Sequence, residues 1–376
     1  MLDKKITPNF FYLAFLILLV ACSSSTNKNE NNNENNNENN NISDWAPSFH
    51  KVDIVNPILV PDTKSIFFCP LQNDTVQWEA KNVLNPTAVV KDGKVYLLYR
   101  AQDSAMTSRI GLAISEDGIH FKRQTQPIFF PAKDSFAIYE GKGGIEDPRI
   151  VEISEGGYIL TYTAYDGKTA RLCFATTKDL IHFQKQGPVL ANPKYINAWS
   201  KSGAIIAERV DEKMIAKKIN NKYWMYFGDT DLFMAYSSDL LHWEVLENEE
   251  NQKMVSVLTP RPGYFDSRLV EPGPFALYTS KGIVLIYNSS NAANNNDPSS
   301  PKFTYAAAQA LFDTAAPYKL IDRAAKPFIQ PDKAYELKGE VNNVCFVEGL
   351  VYYKQQWYLY YGTADSKIAV ALASDH

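Results

Sequence analysis

Positive charge is not in excess: 38 Lys and Arg stand against 42 Asp and Glu, a formal net charge of −4. That leaves no basic face for a nucleic-acid backbone. Cysteine is scarce as well. Beyond Cys22, only Cys69, Cys173 and Cys345 occur, widely spaced, odd in number and without a CxxC. Neither a disulfide framework nor a zinc site is indicated, and the three read as small buried hydrophobes. Long apolar runs are missing except from Phe10 to Val20, which is too short to span a bilayer as a permanent helix. No long stretch shows helical periodicity, so a helical fold is excluded. What is present is 45% hydrophobic and 13% aromatic composition, enough to bury a large core.

The apolar run follows Lys4 and Lys5 and reads as a signal peptide over residues 1–21. Leu19-Val20-Ala21-Cys22-Ser23 resembles the lipobox of bacterial lipoproteins, which would make Cys22 the lipidated first residue of the mature chain; an ordinary cleaved signal with an incidental Cys is the alternative. Residues 22–42 are Ser, Asn, Glu, Lys and Thr with almost no apolar side chain, and read as a disordered tether. The expected location is the bacterial cell envelope, on the periplasmic face or the surface, with membrane contact through the anchor alone.

From residue 43 to 376 short β-branched and aromatic runs recur between Gly, Asn, Asp and Pro. One run repeats: Lys94–Tyr99, Gly157–Tyr162, Lys222–Phe227, Gly282–Tyr287 and Gln356–Tyr361 align on their final aromatic. A second repeat lies out of phase: Ser115–Phe121, Thr177–Phe183 and Ser237–Trp243, each with Asp before a turn and His near its end. A four-stranded unit cannot bury its faces alone, so repetition at this period implies units packed around an axis. The expected fold is all-β, a five-bladed β-propeller. His120, His182 and His242 then fall on successive blades, too far apart to share a metal ion. No metal or other cofactor is expected. Residues 43–80 read as a closing strand or an arm, and Asn291 to Pro301 as a mobile loop near the mouth.

Chemistry collects in Gly143-Gly-Ile-Glu-Asp-Pro-Arg-Ile150. Two glycines allow close backbone approach to a ligand, and Pro148 is expected to push Asp147 toward an extended conformation. The residues after each repeated aromatic are polar: Arg100 and Asp103, Tyr165 and Asp166, Asp229 and Asp231, Asn288 and Asn291, and Asp365. In a propeller they converge on one mouth. Carboxylates, amides and Arg beside aromatic faces suit a polyhydroxylated ring.

Asn85-Pro, Tyr99-Arg100-Ala, Gly143-Gly-Ile-Glu-Asp-Pro-Arg149, Tyr162-Thr-Ala-Tyr-Asp166 and Tyr361-Gly-Thr-Ala-Asp365, in this order, resemble glycoside hydrolase family 130. The resemblance implies a five-bladed propeller acting on β-mannosides as a phosphorylase or a hydrolase. It implies that Asp147 is the catalytic acid, delivering its proton through a sugar hydroxyl, and that Asn85, Arg100, Asp103, Arg149, Asp166 and Asp365 hold the mannose ring. The family's phosphorylases end the third-blade strand in His-Arg, where this chain has Phe227-Gly-Asp229-Thr-Asp231. The fourth blade is introduced by Phe265-Asp-Ser-Arg-Leu-Val-Glu271, similar to the hydrolase branch.

Cations replaced by carboxylates would repel phosphate, so water is the expected nucleophile. Glu271 is the leading general base, forming an inverting pair with Asp147, and Asp229 is the second acidic candidate. Lys201 and Asp231 join the substrate-binding set. Lys201 and Arg268 remain as cations, which keeps a phosphorylase open. The favoured reading is an exported β-mannosidase acting on β-linked, most simply β-1,2-linked, manno-oligosaccharides. A non-catalytic glycan-binding lipoprotein and an arabinanase-like propeller are the alternatives, and self-association is left open.

Overall fold

The structure, a computed structural model, describes residues 47–375. The expectations for the signal peptide, Cys22, the tether and Trp45 lie outside those residues. Within them the chain is all-β, its helices being α1 (Ala137–Glu140) and α2 (Ala334–Leu337). The first strands are β1 (His50–Lys51) and a hairpin of β2 (Phe67–Cys69) with β3 (Asp74–Val76). Successive antiparallel meanders follow. The first contains β4 (Asn82–Lys91), β5 (Lys94–Gln102), β6 (Ser108–Ser115) and β7 (Lys122–Arg123). The second contains β8 (Gly144–Glu152), β9 (Tyr158–Tyr165), β10 (Ala170–Thr177) and β11 (Phe183–Pro188).

In the third, β12 (Ala204–Val210) leads through β13 (Lys213–Ala216) and β14 (Lys218–Ile219) to β15 (Lys222–Phe227), β16 (Phe233–Ser237) and β17 (Glu244–Val245). The fourth has a divided first strand, β18 (Leu269–Pro272) and β19 (Ala276–Thr279), then β20 (Gly282–Ser290), β21 (Tyr305–Phe312) and β22 (Leu320–Arg323). The fifth is β23 (Cys345–Tyr353), β24 (Gln356–Thr363) and β25 (Lys367–Ser374). Its outer strand comes from the other end of the domain: β1 pairs with β25, His50 opposite Leu372. Of the segment read as a closing strand or an arm, β1 thus serves as an outer strand of the fifth meander.

The repeated runs are the second strands of these meanders, and first strands such as β4 are buried along nearly their whole length. Both faces of a meander therefore carry apolar side chains, and each face packs on a neighbour. Leu98, Ile110 and Leu112 of the first meander meet Ile145, Leu160 and Tyr162 of the second. Val95 and Leu97 meet Val351, Tyr358 and Val370 of the fifth, and Trp224 and Met234 of the third meet Ile283 and Leu285 of the fourth. Cys69, Cys173 and Cys345 are free and buried.

The repeated tyrosines form a clamp. Tyr99, Tyr162, Tyr287 and Tyr361 donate their hydroxyls to Glu79, Glu140, Asp266 and Glu336 at 2.8, 3.2, 2.9 and 2.9 Å. Each carboxylate is fully buried, and each also meets a cation from the outer strand: Arg123 of β7, Lys185 of β11, Arg323 of β22 and Lys51 of β1. The third meander has Phe227 at this position and cannot donate. The second repeat is a local turn device. His120, His182 and His242 are exposed, and each Nδ1 pairs with its own Asp117, Asp179 or Asp239 at 2.7, 2.7 and 2.8 Å.

Replacing Glu336 with Ala should cost about 3–5 kcal/mol, because it removes the buried acceptor of the Tyr361 hydroxyl and of the Asp332 and Lys333 amides, together with one of the two carboxylates that hold the half-buried Lys51 ammonium. Tyr361→Phe, which copies the arrangement at Phe227, should cost only about 0.5–1.5 kcal/mol. Urea unfolding of the two variants checks the difference.

Candidate active site

Along the first strand of the meanders, one backbone feature recurs. β4 bulges between Leu84 and Pro86, β8 between Glu146 and Arg149, and β23 between Val347 and Gly349. The residues extruded are Asn85, Asp147 with Pro148, and Glu348. The corresponding position in the fourth meander is Glu271-Pro272, where β18 gives way to β19, and in the third it is Ser202-Gly203, just before β12. Asn85, Asp147 and Ser202 all take left-handed backbone, with φ of 45, 49 and 59°, conformations costly for residues with a Cβ and found where a site demands them. This corrects the extended conformation expected at Asp147. The bulge sets two residues, Asp147 and Pro148, against Tyr162 alone, and that count prevails over the proline's preference.

The bulges are drawn together by neighbouring strands. Gly143 accepts from the Ser108 amide at 2.9 Å. Gly144, at φ 86°, lies so close to the Ser108 carbonyl that any Cβ would collide with it. Thr161 donates to the Gly203 carbonyl at 2.7 Å, and Asn288 exchanges both amide bonds with Val347 at 2.9 and 2.7 Å.

Asp147 Oδ1 accepts from Asn85 Nδ2 and from Arg100, each at 2.9 Å. Arg100 also binds Glu146 at 2.7 Å. The Lys201 ammonium lies 4.0 Å from Asp147 Oδ2 and 3.5 Å from Glu271 Oε1. Those two oxygens are therefore at most about 7.5 Å apart, the sum of the two distances, a bound that admits the lower part of the ~6.5–9.5 Å range of inverting carboxyl pairs as well as the ~5–5.5 Å of retaining ones. Ser202 donates a short hydrogen bond to Glu271. Asp147 and Glu271 are 3% exposed each, so both act in a largely dry setting, where charge effects are strong.

Burial alone would raise the Asp147 carboxyl. Arg100, Lys201 and Asn85 outweigh it and hold the group below the usual carboxylate range. Glu271 is raised by burial, which Lys201 and Arg149 oppose only in part. Lys201 loses by burial and gains more from Glu271, Asp147 and Asp229, so it is held as a cation. Asp365 is pushed up to about 6, by burial against the attraction of Arg100.

The other expected site residues divide. Asp365 shares the field of Arg100 and Asp147. Asp229 accepts the Trp199 indole N–H at 2.7 Å, and its charge bears on Lys201 and Glu271. Asp103 and Asp166 instead cap their own turns. Asp103 accepts the amides of Ala105 and Thr107 and pairs with Arg109, and Asp166 accepts the amides of Lys168 and Thr169 and pairs with Arg171. Arg149 is 2% exposed and is spent on protein groups: the carbonyls of Gly273, Pro272 and Asp147 at 2.6, 2.6 and 3.1 Å. Among the described residues, no hydrogen bond or ion pair ties Asp231 to this group. Asn291 organises the loop expected to be mobile, binding the carbonyls of Asp297, Ser300 and Pro301.

Three contributors escaped the sequence reading: Glu146, Ser202 and Glu348. Glu348 is fully buried, 3.0 Å from Arg149, and pushed well above the usual range by burial. Its signal was present. A carboxylate or amide followed by Pro or Gly precedes the repeated aromatic by roughly fifteen residues at Asn85, Asp147, Glu271 and Glu348 alike.

One ammonium between two buried carboxyl groups is an arrangement that a carbohydrate-active site of the two-carboxylate kind can use. The family model described as beta-1,4-mannooligosaccharide phosphorylase matches residues 49–376. The chain belongs to glycoside hydrolase family 130. It is 31% identical over 327 residues to the 1,2-beta-oligomannan phosphorylase of Thermoanaerobacter sp. (strain X514), covering 84% of this chain and 94% of that one. A glycosyl hydrolase structure from Bacteroides ovatus is 41% identical with a TM-score of 0.86, covering 88% and 97%. A further structure, 42% identical with a TM-score of 0.86 and covering 89% and 98%, comes from work on family members that are hydrolases of β-1,2 mannosidic linkages in Candida mannan.

Because the folded state prefers Asp365 neutral, it holds a proton there that the unfolded chain releases near the ordinary value of 3.8. The contribution of Asp365 to stability should therefore fall as pH rises from about 4 to about 6 and stay level above. Asp365→Asn should flatten this window and raise stability near neutral pH by about 1–2 kcal/mol. Urea unfolding of both proteins across that range reads the effect.

Proposed function

We propose that the protein is an exported, inverting β-mannosidase that hydrolyses β-1,2-linked manno-oligosaccharides, its meanders forming the blades of a five-bladed β-propeller. The observation that carries the reading is the charge around Lys201. Its ammonium is already shared by Asp147 and Glu271, with Asp229 and Glu146 also acting on it. A phosphate dianion placed there would face these carboxylates at a cost of a few kcal/mol, about 4 per close pair at the effective dielectric of a protein surface. Water meets no such opposition.

In this reading Asp147 delivers a proton to the glycosidic oxygen through a sugar hydroxyl, and Glu271 takes one from the attacking water. The ligand-free site holds the opposite distribution, with Asp147 ionised and Glu271 the readier to accept a proton. In this reading the proton passes from Glu271 to Asp147 once the sugar is bound, and Lys201, nearer to Glu271 than to Asp147, favours the Glu271 carboxylate. Asn85, whose Oδ1 is buried without a hydrogen-bond partner, Arg100 and Asp365 hold the mannose ring. Export and lipidation at Cys22 rest on the leader sequence, and a hydrolase suits an envelope location where sugar phosphates cannot be used.

A β-mannoside phosphorylase is the second reading. It is favoured by the Thermoanaerobacter relative, named a phosphorylase, by the family description and by the cations Lys201 and Arg268. Product analysis separates the two. Hydrolysis predicts free mannose from β-1,2-mannobiose in phosphate-free buffer; dependence on phosphate with mannose 1-phosphate as product would establish the phosphorylase instead. Glu271→Gln should lower kcat by about 10²–10⁴-fold while KM moves much less.

A further inference from the structure

Trp199 is 54% exposed, unusual for the largest apolar side chain, yet it is held from two sides. Its indole N–H donates to Asp229 Oδ2 at 2.7 Å, and the Tyr165 ring meets it edge-on, with centroids 6.4 Å apart and planes at 66°. It also lies two residues before Lys201, the ammonium between the two carboxyl groups. The Lys201 carbonyl accepts the amide of Gly228, next to Asp229, at 2.9 Å. The indole is thus a fixed, flat, apolar face beside the reacting centre. The C–H face of a sugar ring is the chemistry that such a face accepts.

We propose that Trp199 is the platform for the leaving-group sugar, and that Asp229 is a positioning residue that orients the indole. The inference rests on the β-mannoside reading and adds to it the acceptor-side subsite. On that reading the mannose ring attacked by water sits against Asn85, Arg100 and Asp365, which leaves the exposed indole to the leaving-group ring. Asp229 is one methylene shorter than the Glu expected at this point in the hydrolase branch, and it spends one carboxylate oxygen on the indole N–H.

Two substrates separate ring stacking from chemistry: β-1,2-mannobiose, whose leaving group is a sugar, and β-mannosyl fluoride, whose leaving group has no ring to stack. Trp199→Ala should lower the ratio of kcat/KM for mannobiose to that for the fluoride by about tenfold, mainly through KM. Asp229→Ala should do the same, and the double variant should lose little more than either alone, as expected for residues acting as one unit. Trp199→Phe keeps an apolar face and should recover most of the loss. Equal losses on both substrates, or a collapse of kcat on the fluoride in Asp229→Ala alone, would overturn the proposal and make Asp229 a catalytic residue. Calorimetric titration with mannobiose reads the platform independently of turnover. About tenfold weaker binding by Trp199→Ala supports it even in a protein that cleaves nothing, an outcome that would remove the hydrolase reading alone. Equal binding by wild type and variant, or none by either, overturns it.

Discussion

Everything at the site depends on where one guanidinium sends its hydrogens. Arg149 is almost wholly buried, and its fork grips the carbonyl of Asp147 on one side and the carbonyls of Pro272 and Gly273 on the other. Asp147 and Glu271 belong to different meanders, so no local backbone rule governs their separation. Arg149 supplies the missing constraint by binding next to both. A buried cation is costly unless its donors are matched, and here each nitrogen reaches a carbonyl, with Glu348 alongside. The planar fork suits this task in a way that a lysine ammonium does not.

Two repeats with opposite requirements run through the same strands. The clamp of tyrosine, buried carboxylate and outer-strand cation recurs with nearly constant chemistry, because its work is to lock the strands of a meander to the segment that enters it. The first-strand position recurs with changing side chains, amide, carboxylate, hydroxyl, carboxylate and carboxylate, and is a bulge in the first, second and fifth meanders. Left-handed backbone at Asn85, Asp147 and Ser202 is the strain that comes with turning those groups toward one place. Stability and chemistry are thereby separated along each strand, and the single break in the clamp, at Phe227, leaves the bulges intact.

Much of this was legible in the residue pattern. The repeated aromatic runs marked the second strands, and the Glu-Asp-Pro-Arg and Val-Glu-Pro segments pointed to Asp147 and Glu271. The reading could not discriminate where one residue type serves two ends. Asp103 and Asp166 follow the repeated aromatic just as Asp365 does, but a nearby Arg109 or Arg171 and two turn amides claim them first. Asx residues at strand ends are indistinguishable in sequence when their partners sit a strand away. The family resemblance implied Arg149 as a sugar ligand; in the structure its donors reach main-chain carbonyls, which leave no trace in side-chain identity.

By itself the sequence determined the strand-rich class, the repeat and the carboxylates of the candidate site, since apolar residues, turn residues and charge are local properties of the chain. Tertiary structure alone decided which of those charges face one another. Charge state, reach and competition for partners are set by burial and by neighbours more than fifty residues away, as with Asn85 and Asp147 or Ser202 and Glu271. Coulomb interactions act through space, and a linear order of residues does not contain those distances.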